Sequence, residues 1–282
     1  MTEQISPVVE QKIAGMAREM RRRILDVSHA CNTGAHVGGG LSMVDITATL
    51  YGDVMRYDAA NPRWEQRDRF ILSKGHGVLG YFSALRVAGI ISEEVFTTFQ
   101  TNESDLIAHP IMNLDLGIES SNGSLGHGLS MGVGLAIAAR RQKKDHKVYV
   151  LLGDGECNEG SVWESVMSAA HHKLDNLIAI VDYNKLQNDG AEVNIMNSGD
   201  MATKWRSFGW NVCELDGHDI PALYDGFVGH VVAGKPKVVV AHTVKGKGVP
   251  FMENNNEWHH NRVTKAIYDR ALQEMEEAGA TK

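Results

Sequence analysis

The chain has 282 residues, of which 43% are hydrophobic and 22% are charged, and its formal net charge is −7 at pH 7. This composition can furnish a substantial core, and the negative charge argues against a nucleic-acid-binding surface. The polar N-terminus, the lack of an apolar run of transmembrane length, and three cysteines without metal or disulfide spacing predict a cytoplasmic protein that contacts no membrane.

Helical and strand patterns alternate along the chain. The first helix is predicted at about 7–31, because apolar residues recur on one face of it: Ile13, Met16, Met20, Ile24 and Val27. A glycine loop at 34–40 then precedes a helix at about 42–54. Later helices are predicted to open at 74–77, to end near 141 and 172, to span 201–208, to begin at 221 and to span 263–277. Strands are predicted at 69–73, 148–152, 177–181, 210–215 and 237–241.

This alternation predicts an α/β fold, with a doubly wound, mainly parallel sheet and helices on both of its faces. No linker composition and no internal repeat interrupts the pattern. A single domain spanning 1–282 is therefore the simplest interpretation.

Two polar residues follow the charge-free apolar runs at 148–152 and 177–181. Asp154 comes just after the first run and Asn184 just after the second, with a helical pattern between them. Such strand–helix–strand units have parallel strands, so both residues are expected at the C-terminal edge of the sheet, where open α/β sheets bind ligands.

The residues around Asp154 suit an anion beside a metal ion. Gly153 and Gly155 allow a sharp turn and a close approach to a ligand, and the N–H groups of the next helix favour an anion. Carboxylate, carboxamide and carbonyl oxygens are ligands for Mg²⁺ or Ca²⁺ rather than for zinc. Since Mg²⁺ often completes its shell with phosphate oxygens, the segment predicts a metal-bridged diphosphate.

Four of the thirteen histidines are predicted in loops: His36, His76, His109 and His259. Histidine can transfer protons near neutral pH and donate hydrogen bonds to sugar hydroxyls or phosphate, so these four are candidate functional residues. His218, in a tight turn at 216–219, is interpreted as structural.

Six motifs along 10–260 resemble those of the transketolase family, in the same order. They are the glycine loop with His36, Leu-Ser-Lys-Gly-His-Gly at 72–77, Gly-Ser-Leu-Gly at 123–126, Gly-Asp-Gly at 153–155 followed by Asn184, Asp-Gly-His-Asp at 216–219, and Trp-His at 258–259. The whole chain resembles the diphosphate-binding domain of a transketolase, which implies the thiamine diphosphate-binding fold. Val37 departs from the family, which has proline there, and one additional residue precedes His36.

The resemblance implies roles for individual residues. Asp154 and Asn184 would bind the metal through side-chain oxygens, and Leu186 through its carbonyl; Mg²⁺ is expected, with Ca²⁺ or Mn²⁺ as possible substitutes. His36, His109 and His259 would surround the reacting carbons of the sugar as catalytic residues. The residues expected to bind thiamine diphosphate are His76, Gly123, Leu125, Asp154, Gly155, Glu156, Asn184, Lys245 and His259. Glu159 resembles a family glutamate at the subunit interface.

The resemblance also implies a partner. In this family the glutamate that activates the cofactor lies in a pyrimidine-binding domain, and a full-length transketolase continues well past the length of this chain. We therefore expect the N-terminal subunit of a split transketolase, with the pyrimidine-binding and C-terminal domains on a second chain and an α2β2 assembly.

The expected reaction is transfer of a two-carbon ketol (glycolaldehyde) unit from a ketose phosphate or related ketose to an aldose. The sugar stays open and includes branched, deoxy and sulfonated ketoses. The alternatives are a 2-oxo acid dehydrogenase first component, a deoxyxylulose phosphate synthase-like enzyme, or a non-catalytic binding subunit with this fold.

Overall fold

The structure is a computed structural model that describes residues 5–279. Within that range it contains seven strands, which are β1 (Gly34–Ala35), β2 (Arg69–Leu72), β3 (Val148–Gly153), β4 (Leu177–Tyr183), β5 (Asn211–Asp216), β6 (Lys237–His242) and β7 (Asn261–Arg262). Five of them form a parallel sheet in the order β2-β3-β4-β6-β5. The five predicted strands are thus all present, and each boundary agrees with the prediction to within two residues.

Helices cover both faces of this sheet. They are α1 (Pro7–Ala30), α2 (Val37–Ser42), α3 (Val44–Thr49), α4 (Val78–Val87), α5 (Glu93–Phe96), α6 (Gly128–Arg141), α7 (Gly160–His171), α8 (Glu192–Ile195), α9 (Met201–Ser207), α10 (Ile220–Val228) and α11 (Lys265–Glu277). One hydrophobic core joins the sheet to α6, α7 and α9, and a larger core joins its other face to α1–α4, α10 and α11. β3 and β4 are buried by both layers, which explains why their apolar runs carry no alternation. The predicted doubly wound α/β architecture is confirmed.

The N-terminal helix illustrates how the sequence pattern becomes packing. Ser6 caps α1 by accepting a hydrogen bond from the Val9 amide, and a proline occupies the first turn. Of the five residues in the predicted stripe, only Met16 is partly exposed, and the other four are buried in the larger core. No helix within residues 5–279 is long and apolar enough to cross a membrane.

The prediction of a glycine loop at 34–40 is wrong for residues 37–40, which are helical. Three of its glycines lie inside α2, and the predicted helix at 42–54 is divided into α3 and a π-helical segment, Leu50–Val54. Glycine is a poor helix former, but close packing against neighbouring residues requires glycine at these positions of α2. A Cβ atom on Gly40 would lie 2.9 Å from the Leu79 Cβ, and one on Gly38 would lie 2.8 Å from the Trp258 carbonyl oxygen.

A two-stranded antiparallel ribbon was not predicted. β1 pairs with β7, with Gly34 opposite Arg262 and Ala35 opposite Asn261. The strands are two residues each and lie near opposite ends of the chain, so no local pattern reveals them. The ribbon brings the loop that carries His36 beside the loop that carries His259.

Two glycines of α6 allow a direct test of the packing between helix and sheet. A Cβ atom on Gly132 would lie 2.5 Å from Cγ2 of Val150, whereas one on Gly134 would meet nothing within 4 Å. We expect Gly132→Ala to lower the free energy of unfolding by about 1–3 kcal/mol through overpacking. Gly134→Ala should raise it by up to about 1 kcal/mol, because alanine is the better helix former. Urea unfolding of both variants measures this difference, and equal effects would contradict the packing.

Candidate active site

The C-terminal ends of β3 and β4 form the centre of the candidate site. The two strands pair in parallel, with Gly153 opposite Asp182, so Asp154 and Asn184 leave the sheet as neighbours. The side chains of Asp154 and Asn184 are almost wholly buried, with 3% and 8% of each residue exposed. The predicted convergence of these two residues at one edge of the sheet is what the structure shows.

Backbone amides orient the oxygens of this pair. The Asp154 Oδ1 atom accepts a hydrogen bond from the Gly155 amide at 2.8 Å, and its Oδ2 atom accepts one from the Lys185 amide. Asn184 Oδ1 accepts from the Leu186 amide at 3.1 Å. Burial, and secondarily the charge of Asp182, raise the pKa of Asp154 to about 7. A buried carboxyl group with this pKa favours a neighbouring cation, which would stabilise its charged form.

The donor set fits a hard divalent cation. Within residues 5–279 there is no cluster of three or more His, Cys, Asp or Glu side chains that could hold a metal. The predicted ligands would hold a metal at this edge through the Asp154 carboxylate, the Asn184 carboxamide oxygen and the Leu186 carbonyl, with water or phosphate completing the shell. That chemistry suits Mg²⁺, which keeps few protein ligands.

A lysine side chain lies beside these oxygens in the cavity. Lys245 Nζ donates hydrogen bonds to the carbonyl oxygens of Leu186 (3.4 Å) and Gln187 (3.2 Å), to Asn256 Oδ1 (3.2 Å) and to His259 Nδ1 (2.7 Å). Burial, followed by the positive charge of Lys74, lowers the pKa of Lys245 to about 8. The ammonium group therefore remains mainly charged at neutral pH and supplies a positive charge beside the predicted diphosphate.

The four candidate histidines converge. The His36 ring lies 5.4 Å from the rings of both His76 and His259 and 6.0 Å from that of His109, measured between centroids. The rings of His76 and His259 are stacked, also 5.4 Å apart. A fifth ring, that of His260, lies 4.6 Å from His36 on the exposed rim.

Burial favours the neutral form of the four candidate histidines. Burial, followed by the charges of neighbouring histidines, lowers the pKa of His36 to about 3. Burial and then Lys245 lower the pKa of His259 to about 4. Burial also lowers the pKa values of His76 and His109. Neutral imidazoles can both donate and accept hydrogen bonds, which suits recognition of sugar hydroxyls.

A buried ion pair supports the floor of the cavity. Lys74 Nζ contacts Asp182 Oδ2, and the Gly39 carbonyl oxygen accepts a further hydrogen bond from Lys74 at 2.9 Å. The hydroxyl groups of Ser42 (2.5 Å) and Thr243 also donate to Asp182. Although burial alone would raise the pKa of Asp182, Lys74 and these donors hold it below its usual value. The network joins β4 to α2 and to the segments after β2 and β6.

His218 fixes the segment that leads to Lys245. Its Nε2 atom accepts from the Val244 amide at 2.8 Å, so its Nδ1–H donates to Asp45 Oδ2 at 2.7 Å. Asp45 is also paired with Arg21 at 2.5 Å, and Arg21 donates to the Lys247 carbonyl oxygen. The geometry agrees with the structural interpretation of His218.

All of the predicted site residues line one cavity of about 300 Å³. They are His36, His76, His109, Gly123, Leu125, Asp154, Gly155, Glu156, Asn184, Leu186, Lys245 and His259. The same cavity is lined by Gly153, which was predicted to allow close approach of a ligand, and by four residues for which no site role was predicted, namely Gly39, Lys74, Gln187 and Asn188. Gly39 and Lys74 lie within recognised motifs and Gln187 follows Leu186, so position in or next to a motif was the available signal.

Comparisons with known proteins agree with this geometry. Residues 13–273 match the family model described as transketolase, thiamine diphosphate binding domain. The chain is 41% identical over 258 residues to one subunit of the apulose-4-phosphate transketolase of Phocaeicola vulgatus, covering 91% of each chain. It is 39% identical over 246 residues to 6-deoxy-6-sulfo-D-fructose transketolase subunit SqwG of a Clostridium species, covering 87% of this chain and 90% of that relative.

The chain belongs to the transketolase family. Its fold is similar to solved transketolases from Campylobacter jejuni (TM-score 0.85) and Leishmania mexicana (TM-score 0.86), each 27% identical. The match covers 96% and 97% of this chain but only 43% and 42% of those chains, so the chain spans about two-fifths of their length.

The predicted membership of the transketolase family is confirmed, and the transketolase type of function is confirmed with it. The relatives reported above give no support to a 2-oxo acid dehydrogenase component or a deoxyxylulose phosphate synthase-like enzyme. Roles of individual residues remain predictions in this transketolase chain, and the predicted interface residue Glu159 is exposed.

Glu156 occupies the cavity in an unexpected way. Its Oε1 atom accepts hydrogen bonds from the Ser73 hydroxyl and the Gly126 amide (2.9 Å), and its Oε2 atom accepts from the Gly153 amide (3.0 Å). Because both carboxylate oxygens accept hydrogen bonds from the protein, the geometry favours a structural role for Glu156. In that role it connects the 123–126 loop to the turn after β3 and does not contact a cofactor directly. Direct contact of Glu156 with the cofactor remains a prediction.

Removal of Lys74 tests the buried ion pair. We expect Lys74→Met to lower the free energy of unfolding by about 3–5 kcal/mol at pH 7.5, because Asp182 is left charged and buried. The pKa of Asp182 in the folded wild type is depressed, so the contribution of the pair is present above the unfolded pKa and is lost as pH falls through the folded pKa. In the variant, burial raises that pKa, and protonation relieves the charge.

The loss caused by Lys74→Met should therefore be smaller at pH 5 than at pH 7.5 in urea unfolding. Lys265→Met is the control, because it removes an exposed pair with Asp269 on α11 and should have little effect at either pH. A loss that is the same at both pH values would contradict the assignment.

Proposed function

We propose that this chain is the thiamine diphosphate- and Mg²⁺-binding subunit of a two-chain transketolase. The observation that carries the proposal is that two complementary sets of groups line one cavity. Oxygens of Asp154, Asn184 and Leu186 form the acceptor set, and the Lys245 ammonium, which contacts the Leu186 carbonyl oxygen, forms the donor set with the histidine cluster. A divalent cation and a diphosphate would satisfy both sets.

The acceptor set and the donor set have separate roles in binding. Asp154 and Asn184 would bind Mg²⁺ with their side chains, and Leu186 with its carbonyl oxygen. Lys245 donates to that same carbonyl oxygen at 3.4 Å, and we infer that it turns to the diphosphate when the metal binds. Gly155 and His76 would supply further hydrogen bonds to phosphate, while Gly123 and Leu125 would line the rings.

The histidines would act on the sugar. When bound, thiamine diphosphate supplies the electron sink that allows a carbon–carbon bond next to a carbonyl group to break and form. Lys245 donates to Nδ1 of His259, so neutral His259 carries its proton on Nε2 and can donate it to a sugar oxygen. His36 and His109, both neutral, would hydrogen-bond the hydroxyl groups of the donor and orient its carbonyl group.

The proposed reaction is transfer of a two-carbon ketol unit from a ketose to an aldose. Two relatives that are similarly identical in sequence to this chain are named for different sugars, apulose-4-phosphate and 6-deoxy-6-sulfo-D-fructose. Their shared name, transketolase, supports the reaction class for this chain. We propose, as the family resemblance implies, that sugar selection lies largely on the partner chain.

The partner is proposed from the names of relatives, which are subunits of transketolases. The chain covers about nine-tenths of relatives named as transketolase subunits but about two-fifths of the solved transketolases. We infer that the pyrimidine-binding and C-terminal domains lie on a second polypeptide, that residues 1–282 form one domain, and that the assembly is α2β2. A cytoplasmic location is part of the same proposal, in keeping with three free cysteines.

Metal and cofactor binding test the acceptor set, through Asp154 and Asn184. We expect Asp154→Ala and Asn184→Ala to weaken binding of thiamine diphosphate in the presence of Mg²⁺ by more than roughly 100-fold, since each removes a metal ligand. Titration calorimetry on the complex with the second subunit measures this affinity. Asp175→Ala is the control, because Asp175 lies just before the opposite end of β4 and is exposed. Wild-type affinity in the Asp154 variant would exclude the site.

Reconstitution tests the partner requirement. The purified chain alone should show no ketol transfer from xylulose 5-phosphate, fructose 6-phosphate, a branched ketose phosphate or a sulfonated ketose, because the cofactor-activating carboxylate is expected on the second chain. Addition of the second polypeptide should restore transfer with at least one of these donors. Full turnover by the isolated chain would refute the requirement.

A further inference from the structure

The β1–β7 ribbon places a fifth histidine, His260, beside the candidate catalytic residue His36. Ala35 pairs with Asn261 in this ribbon, and His36 and His260 flank that pair, one on each strand. Side chains of such cross-strand neighbours lie close enough to pack together. The two rings meet edge to face, with 4.6 Å between their centroids and 65° between their planes.

Gly34 makes room for the His260 ring. A Cβ atom on Gly34 would lie 3.1 Å from both ring nitrogens of His260 and closer still to its Cε1 atom. The φ angle of Gly34 is not in the left-handed region, so the backbone conformation does not require glycine there. The ring of His260 is therefore the group that a side chain at 34 would displace.

No hydrogen bond to residues 5–279 orients the ring of His36. The torsion that turns a histidine ring about its Cβ–Cγ bond is broad, so packing must set the orientation. Four histidine rings surround that of His36, and the nearest of them by centroid distance is His260. Loss of this ring would leave His36 free to turn on that side.

His260 differs from the other rings of the cluster in where it lies. His36, His76, His109 and His259 line the cavity, whereas His260 is exposed and is not among the described residues that line it. It is thus placed to act through the ring of His36 and not by touching the sugar.

We propose that His260 is a positioning residue, which holds the His36 ring in the orientation that presents its nitrogens to the sugar. This inference rests on the proposed function and adds a residue from outside the cavity to the sugar site. Small displacements of a group that orients a substrate are costly to the rate. A single edge-to-face contact is modest in strength, so a graded loss of activity is expected.

Substitutions at 260 separate ring packing from other roles. In the complex with saturating second subunit, His260→Ala should lower kcat/KM by about 3- to 10-fold, measured with the donor named above that supports transfer. His260→Phe keeps a ring without nitrogens and should retain most of the wild-type value. Titration calorimetry should show unchanged affinity for thiamine diphosphate in both variants.

His172→Ala is the matched control for these variants. It also removes an exposed ring that meets another histidine, His171, edge to face, at 5.0 Å between centroids. His172 follows α7 at the edge where β4 begins, which is opposite to the cavity. It should therefore leave kcat/KM unchanged.

A double-mutant cycle tests the space at Gly34. Gly34→Ala should lower kcat/KM by a similar factor, because the added Cβ displaces the His260 ring. In the His260→Ala background the same substitution should cause no further loss, since the space is then empty. Gly134→Ala, whose Cβ would meet nothing within 4 Å, is the control. Additive losses from Gly34→Ala and His260→Ala would overturn the inference.

Crystal structures of the variants give a readout that does not depend on activity. The His36 ring should keep a single orientation in the wild type and in His260→Phe, and adopt more than one in His260→Ala. An unchanged ring in His260→Ala, or a Phe variant as impaired as the Ala variant, would contradict the positioning role. If the wild-type complex transfers from no ketose donor, the proposed function fails, and the ring orientations still decide whether His260 positions His36.

Discussion

The parallel pairing of β3 with β4 is the constraint on which the site depends. With Gly153 opposite Asp182, the residues that follow each strand emerge side by side at one edge of the sheet. A shift of one residue in this register would turn Asp182 and its neighbours to the opposite face of the sheet and separate the oxygens of Asp154 and Asn184, the proposed metal ligands. The apolar burial of both strands on both faces makes such a shift costly, so the hydrophobic core indirectly sets the geometry of the polar site.

Burial also explains the unusual electrostatics of the cavity. The same exclusion of water that raises the pKa of Asp154 lowers those of His36, His259 and Lys245. Acidic and basic groups are thereby moved toward their neutral forms, and an ion pair such as Lys74–Asp182 persists only because several donors surround the carboxylate. Binding of a metal and a diphosphate would supply charges that this environment otherwise disfavours. The site is therefore arranged for a charged ligand rather than for its own stability.

Contacts distant in sequence hold the walls of this cavity together. The β1–β7 ribbon joins the segment before His36 to the segment after His259. The Asp45–His218 pair fixes the start of the loop that carries Lys245, and Glu156 links the turn after β3 to the 123–126 loop. These polar contacts fix the positions of loops that the parallel sheet alone does not determine. Loops beyond the strand ends lack the backbone hydrogen bonds between strands that would otherwise restrain them.

The sequence by itself determined the α/β class, the five sheet strands, and the candidate residues, because buried strands are continuous apolar runs and strand-end residues meet at one edge. Motif order determined the family. Tertiary structure decided what local patterns cannot encode: the helical state of Gly38–Gly40, chosen by close approach of Leu79 and Trp258, and the convergence of the histidines from distant loops. It also decided that Glu156 is engaged by protein donors while the Gln187 amide is left unpaired. The physical reason is that hydrogen-bond satisfaction depends on neighbours in space, and those neighbours are up to about 80 positions away in the chain for Glu156.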